Sequence, residues 1–295
     1  MMPLRSKLLI TLTLLIAVAS LTPALSWAID LQPGEIKAPA PDMQYVQTTY
    51  QFSEKGAKYA HGQRLPSDTK IDTSQIILRY AKSYEVADRT GIFYIQTPVG
   101  YTHPGGSLSS LQGDSGVGDT TLVLGFWPYA NKETATYFGV GGYLFIPTGS
   151  YSNQRSLNVG DNRYKFALQT GMQTAVVDNL QWLIAVDSLW YGDNDEYGVS
   201  NARLTQKTLY SAQTGLIYDL NKTFSIAGSY FYTQGGETSV NGISKNDTTQ
   251  SQRFQISGIA RTPIGRITLQ YGHDLETKNG YIENNRFIVR YTKPF

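Results

Sequence analysis

The sequence predicts an all-β protein, a transmembrane antiparallel up-and-down β-barrel of about twelve strands. Three observations support this fold. Strand-like segments alternate in polarity, the connections between them are alternately long and short, and no apolar run after residue 28 is long enough for a membrane helix. Outer-membrane barrels combine short turns at one rim with longer loops at the other, whereas a soluble sandwich has no reason to sort its loops in this way.

Residues 1–28 have the pattern of a secretory signal peptide. Arg5 and Lys7 precede an apolar stretch at 8–18, and Ser26 and Ala28 supply small residues for cleavage. The alternative, an uncleaved anchor, is disfavoured because the apolar run is too short to span a bilayer. We therefore expect a mature chain that begins near Ile29 and resides in the outer membrane of a Gram-negative bacterium.

Residues 29–42 contain three prolines and show no hydrophobic period. This composition predicts an extended periplasmic lead-in. The segment is too short for the plug domain that an energy-coupled transporter would need.

The barrel itself is expected to occupy residues 43–295. The predicted strands are 43–52, 70–83, 90–100, 118–128, 134–147, 163–177, 180–191, 207–218, 223–233, 251–261, 265–274 and 284–295. The long gaps are 53–69, 101–117, 149–162, 192–206, 235–250 and 275–283, and the short ones are 85–89, 129–133, 178–179, 219–222 and 262–265. An even strand number places both termini in the periplasm, and ten or fourteen strands are the alternatives.

Alternation within the strands assigns each side chain to the lipid or to the lumen. The predicted lumen-lining residues are Arg79, Tyr137, Tyr143, Arg163, Lys165, Asp187, Phe231, Arg253, Arg266, Arg286 and Arg290. Their basic excess would attract anions. Alternatively, the arginines pair with lumenal carboxylates and fill the interior. The inward tyrosines and phenylalanines would make an apolar path for hydrophobic solutes.

Composition argues against several other functions. Arg5 and Lys7 account for the whole formal net charge of +2, so the chain after residue 28 is neutral and nucleic acid is not an expected partner. Cysteine is absent, which fits an exported bacterial protein. No metal-ligand spacing or phosphate-binding loop is found, and no cofactor is expected.

The last predicted strand resembles the terminal strand that the outer-membrane assembly machinery recognises. Phe287, Val289 and Tyr291 alternate before the final Phe295, while Lys293 departs from the pattern. A basic side chain at the membrane rim can extend to water. We therefore expect the assembly machinery and outer-membrane lipid to be partners of the chain.

Turn motifs in the central region carry a resemblance to a known family. They comprise Gly116, Gly118, Asp119, Pro147, Gly149, Asn158 and Gly160, within about 116–164. Their order and spacing resemble the outer-membrane family called "putative MetA-pathway of phenol degradation", grouped with channels akin to the long-chain fatty acid transporters. The resemblance implies import of aromatic or other hydrophobic compounds. The motif residues themselves are expected to shape the external rim.

Catalysis is not expected, because the three histidines lie apart. His61 and His103 fall in loops, and alternation turns His273 outward and Asp274 inward. General acid–base chemistry needs convergent groups. The inward aromatic side chains and the family resemblance together predict a passive channel for small hydrophobic, above all aromatic, compounds. A structural or adhesion barrel with a filled lumen is the alternative, followed by a hydrolase at the rim.

Overall fold

Twelve antiparallel strands form a closed barrel, and the computed structural model describes residues 29–295. The strands are β1 Gln44–Ala60, β2 Thr69–Val86, β3 Arg89–Gly106, β4 Thr120–Asn131, β5 Thr136–Ile146, β6 Lys165–Val177, β7 Leu180–Tyr191, β8 Leu209–Asp219, β9 Phe224–Gly235, β10 Thr249–Thr262, β11 Gly265–Thr277 and β12 Gly280–Pro294. Each strand pairs with its neighbours in sequence. The predicted fold class is confirmed.

Pairing between β1 and β12 closes the barrel. Its register runs from Tyr45 opposite Pro294 to Tyr59 opposite Gly280, with bulges near Lys55. Closure removes both sheet edges, so the backbone groups along the wall find partners within the wall. The alternatives of ten or fourteen strands are wrong. No helix within residues 29–295 is long and apolar enough to cross a membrane.

The two faces of the wall differ as the alternation predicts. On the outside, Leu78, Leu124 and Leu269 expose 55%, 61% and 56% of their surface. Residues one position away, such as Val123, Gln270 and Thr268, are buried. An apolar outer face with a filled, mostly polar inner face is the pattern of a barrel whose solvent outside is lipid.

One rim of the barrel consists of tight turns. Ala87 and Asp88 both have positive φ, of 49° and 58°, and join β2 to β3 as a two-residue hairpin. This is the geometry of a type I′ turn, which matches the twist of the paired strands. We call this end the turn rim and the opposite end the loop rim.

The loop rim differs in part from the sequence prediction. The gap predicted at 275–283 is only a two-residue turn, because β11 and β12 continue to Thr277 and from Gly280. Likewise, β1 extends into the gap predicted at 53–69 and ends at Ala60. Two long loops instead pair with each other through the short strands Asn194–Tyr197, Ala202–Gln206, Thr238–Val240 and Ile243–Ser244.

The expectation of an extended periplasmic lead-in needs correction. Residues 29–40 lie inside the barrel and run from the upper cavity toward the turn rim, with a bend where the Glu35 backbone N–H donates to the Gln32 carbonyl at 2.9 Å. The segment leaves the lumen near Met43, whose N–H donates to Ser83 Oγ at 2.8 Å. We call residues 29–40 the lumenal segment. The predicted signal peptide, 1–28, lies outside the described residues.

Candidate functional site

The inner wall has one strongly basic region, which we call the cationic face. It lies on β10, β11, β12 and β2, which are consecutive around the barrel when β1 is included. Its members are Arg253, Arg266, Arg286, Arg290 and Arg79. All five belong to the set that the sequence predicts to line the lumen.

The other side of the lumen is apolar. Buried side chains of β3 to β7 form this apolar face, namely Ile92, Val123, Trp127, Tyr143, Ala167, Leu183 and Ala185. Glycines separate them, including Gly125, Gly139 and Gly171. A Cβ atom at Gly171 would lie 3.0 Å from Ile36 Cδ1, so the bare backbone leaves room for the lumenal segment.

Two carboxylates of the lumenal segment pair with four of the five arginines of the cationic face. Asp30 Oδ2 lies 2.6 Å from Arg253 Nη2 and 2.9 Å from Arg286 Nη1. Glu35 Oε1 lies 3.1 Å from Arg79 Nη1 and 3.3 Å from Arg290 Nη1. Each carboxylate therefore bridges two arginines. Buried guanidinium groups need such partners, because desolvation without a counter-charge is costly.

The same segment packs its apolar side chains against the apolar face. Ile36 is buried in a cluster with Trp127 and Leu183, and the Trp127 indole N–H donates to the Ile36 carbonyl at 2.6 Å. Gln213 holds the backbone of Leu31 through both its amide oxygen and its amide nitrogen. The segment is thus amphipathic, with its carboxylates toward the cationic face and its apolar side chains toward the apolar face.

The segment divides the remaining lumen into separate spaces. A lower cavity of about 540 Å³ opens toward the turn rim and is lined by Ile36, Tyr45, Trp127 and the glycines of the apolar face. An upper cavity of about 220 Å³ lies toward the loop rim, beside Asp119, Phe145 and Asp161. A third, more polar space of about 570 Å³ lies at the turn rim on the far side of the segment.

A partition separates the upper cavity from the lower one. The residues that line both are Leu31, Glu35, Gln47, Arg79, Tyr94, Tyr143 and Arg290. Arg79 lies over the Tyr94 ring with its guanidinium carbon 4.2 Å from the ring centre. A solute that moves from one cavity to the other must pass this cluster.

The remaining predicted lumen residues lie apart from the partition. Lys165 pairs with Asp161 at the upper cavity, and Arg163 donates to Gln206 at 2.6 Å nearer the loop rim. Asp187 accepts a hydrogen bond from Ser211. The Phe231 ring packs against Arg253, with 4.3 Å from the guanidinium carbon to the ring centre, and Tyr137 belongs to the cluster around Ile36. Neither residue lines the lower or the upper cavity.

The family motif residues meet in one junction of two loops at the loop rim. Asp119 accepts hydrogen bonds from the backbone N–H groups of Gly149 and Asp161, both at 3.0 Å. Burial, together with the nearby Asp161 carboxylate, raises the pKa of Asp119. Gly149 and Gly160 touch so closely that a Cβ at Gly160 would lie 2.8 Å from the backbone carbon of Gly149.

The other motif residues support the same junction. Asn158 Oδ1 accepts from the Ser152 N–H at 2.9 Å, and the Gly118 N–H donates to the Pro98 carbonyl at 2.8 Å. Gly116 has a φ of 152° and no room for a Cβ beside Ser150. Pro147 follows directly after β5. Asp119 also lines the upper cavity, so this junction forms part of its roof.

The histidines do not converge. His273 packs on Phe254 at 6.0 Å between ring centres, whereas Asp274 is turned away and accepts from the Glu283 N–H at 2.8 Å. His61 and His103 are exposed. Within residues 29–295, no three His, Asp or Glu side chains are grouped to hold a metal ion.

Sequence reasoning missed Asp30, Glu35 and Trp127 as site residues. A signal for the carboxylates was present in the charges. The predicted inward positions of the last three strands hold five arginines, including Arg261, but Asp274 as their single acid. Such an excess needs counter-charges from elsewhere, and the lead-in supplies them.

The fold and the lumen define an outer-membrane barrel of the channel type. A solved structure described as the COG4313 outer membrane channel from Pseudomonas putida F1 is 31% identical, with a TM-score of 0.87, and the match covers 90% of this chain and 100% of that one. The β-domain of the Bordetella autotransporter BrkA matches at a TM-score of 0.52 with 10% identity, covering 87% of this chain and 100% of that one, which supports the fold alone.

The chain belongs to the family described as "Putative MetA-pathway of phenol degradation", whose model matches residues 55–291. The resemblance inferred from the turn motifs is therefore confirmed. No functionally curated protein matches the sequence at a significant level.

In the outer membrane, the longer loops of a barrel face the cell exterior and the tight turns face the periplasm.

Proposed function

We propose that the protein is a passive channel for small hydrophobic compounds, with aromatic compounds as its principal solutes. The observation that carries this proposal is the lower cavity, which combines aromatic and aliphatic walls with a glycine floor in the middle of a membrane barrel. Pockets of this volume with mostly apolar walls and a few placed polar groups suit small organic molecules. The family description, which names phenol degradation, agrees with this solute class.

The route has three stages. A solute enters among the external loops, passes the upper cavity and the partition, and leaves the lower cavity for the periplasm. No step needs energy coupling. The proposal includes three further parts. Outer-membrane lipid surrounds the wall, and the assembly machinery recognises β12 through Phe287, Val289 and Tyr291. A signal peptide that is cleaved near Ala28 directs export.

Conductance in planar bilayers, with and without phenol, tests the proposal. Trp127→Ala removes a cavity wall and should weaken the block of ion current by phenol about three- to ten-fold, as expected for loss of one aromatic contact. Trp190→Ala is the matched control, because Trp190 lies on the outer face against Phe166. Deletion of the gene should also slow uptake of dilute aromatic compounds by whole cells.

A structural or adhesion barrel is the second candidate. The observation that favours it is the lumenal segment, whose two carboxylates engage four arginines in the lumen. An electrically silent barrel whose deletion leaves aromatic uptake unchanged would support this candidate and overturn the channel.

We further propose that the barrel has no catalytic centre, because His273 and Asp274 face opposite sides of the wall. Purified protein should not hydrolyse phospholipid, lipid A or peptide. Hydrolysis that is lost on His273→Ala would refute this part of the proposal.

A further inference from the structure

The partition is built around a carboxylate held by two arginines. Glu35 supplies that carboxylate from the lumenal segment, and it lies 3.1 Å from Arg79 and 3.3 Å from Arg290. Its other oxygen accepts from the Gln32 N–H at 3.0 Å, so Glu35 retains a partner within its own segment.

The wall positions both arginines without help from Glu35. The Arg79 Nε donates to Gln96 at 3.0 Å, and its guanidinium lies on Tyr94. The Arg290 Nε donates to Thr49 at 3.2 Å. Because these contacts fix the guanidinium planes, the pair would keep its geometry when a different carboxylate takes the place of Glu35.

An apolar cradle lies directly beside these arginines. Trp127 and Tyr143 line the lower cavity together with Gly125 and Gly139, which leave the floor flat. A Cβ at Gly125 would lie 2.8 Å from Ile92 Cγ2, so side chains are excluded there. The space can accommodate an aromatic ring whose acidic group points toward the partition.

We propose that the partition binds an aromatic carboxylate, which takes over Arg79 and Arg290 from Glu35. The ring lies in the cradle beside Tyr94, Trp127 and Tyr143. The exchange replaces one carboxylate by another, so the arginines keep a counter-charge, while Glu35 keeps its hydrogen bond from the Gln32 N–H. This inference rests on the proposed channel function and names the solute class that opens the passage between the two cavities.

Fluorescence of Trp127 in purified protein that begins at Ile29, and therefore lacks Trp27, tests the inference. Trp182→Phe and Trp190→Phe remove the signal of two tryptophans outside the lumen, which face outward by strand alternation. Benzoate, acetate and benzyl alcohol are the probes, since they separate the ring from the carboxylate. Benzoate should quench or shift the emission at concentrations about ten-fold or more below the other two.

Two substitutions at the partition should act in opposite directions. Glu35→Gln removes the competing carboxylate and should tighten benzoate binding about ten-fold. Arg290→Gln should weaken it about ten-fold or more, with little effect on benzyl alcohol. Arg203→Gln is the matched control, because Arg203 is exposed in an external loop and pairs with Asp193.

The results also separate this inference from the proposed function. Equal binding of benzoate and benzyl alcohol, or weaker benzoate binding in Glu35→Gln, would overturn the carboxylate site. If phenol still blocks the current in that case, the channel function stands. Circular dichroism and heat-modifiable gel mobility show whether each variant retains the barrel. Glu35 lies off the wall, so Glu35→Gln remains informative when an arginine variant fails to fold.

Discussion

The cationic and apolar faces belong to one lumen but bind the lumenal segment through different interactions, ion pairs on one face and apolar packing on the other. On the cationic face, Asp30 and Glu35 each bridge two buried arginines of the wall. On the apolar face, Ile36 and Trp127 meet by shape and by one hydrogen bond. Ion pairs in a desolvated setting are costly to break, whereas apolar contacts can slide. The segment is therefore held by ion pairs on one side, and by apolar packing with single hydrogen bonds on the other.

The largest effect should come from breaking an anchor on the cationic face. Asp30→Asn leaves Arg253 and Arg286 without the carboxylate that bridges them. Removal of one partner of a buried ion pair typically costs about 3–5 kcal/mol. We expect a loss of this order in the free energy of unfolding, measured with urea in lipid vesicles.

A surface pair provides the control for this anchor. Asp193→Asn breaks the exposed pair with Arg203, for which the expected loss is about 0–1 kcal/mol. Equal losses in the two variants would show that the cationic face does not depend on Asp30.

The next effect should come from crowding the apolar face. Gly171→Val places a side chain where a Cβ alone would lie 3.0 Å from Ile36 Cδ1 and 3.2 Å from Ala185 Cβ. The wall can keep its hydrogen bonds while the segment must shift, so we expect a higher single-channel conductance with an unchanged fold.

The matched control is Gly228→Val, on β9. Gly228 faces outward, where nothing lies within 4 Å of an added Cβ. This variant should conduct as the parent protein does. An unchanged conductance in Gly171→Val would mean that contact with the apolar face does not determine the position of the segment.

Most of the wall could be predicted from the sequence, because apolar and polar residues alternate along each strand with a period of two and so indicate which side chains face lipid. That period alone assigns Arg79 and Arg290 to the inner face, and both line the lumen cavities. The ends of the strands could be predicted less well. β1 continues to Ala60, and β11 and β12 meet in a two-residue turn, because the paired strands extend past the apolar band on which the prediction relied.

The path of the lumenal segment could not be predicted, since it has no period of its own. Its contacts join distant parts of the chain, as between Leu31 and Gln213, which are 182 positions apart. Local sequence can show that Asp30 and Glu35 are acidic, but only closure of the barrel brings the arginines of β2 and β12 to the same place. The partition is thus a product of topology.

The smallest effect should arise where the segment approaches the turn rim. The guanidinium of Arg266 donates to the Pro33 carbonyl, and Arg266→Gln shortens the donor so that this hydrogen bond is lost. A single hydrogen bond contributes about 1 kcal/mol, which corresponds to roughly five-fold faster local opening. Hydrogen exchange should therefore accelerate about five-fold in the part of the segment that follows Pro33, while amides of the wall keep their rates.

Arg89→Gln, at an exposed site on the same rim, should leave these rates unchanged. Acceleration across the whole segment, Asp30 included, would show instead that the anchors on the cationic face open together with the turn-rim end.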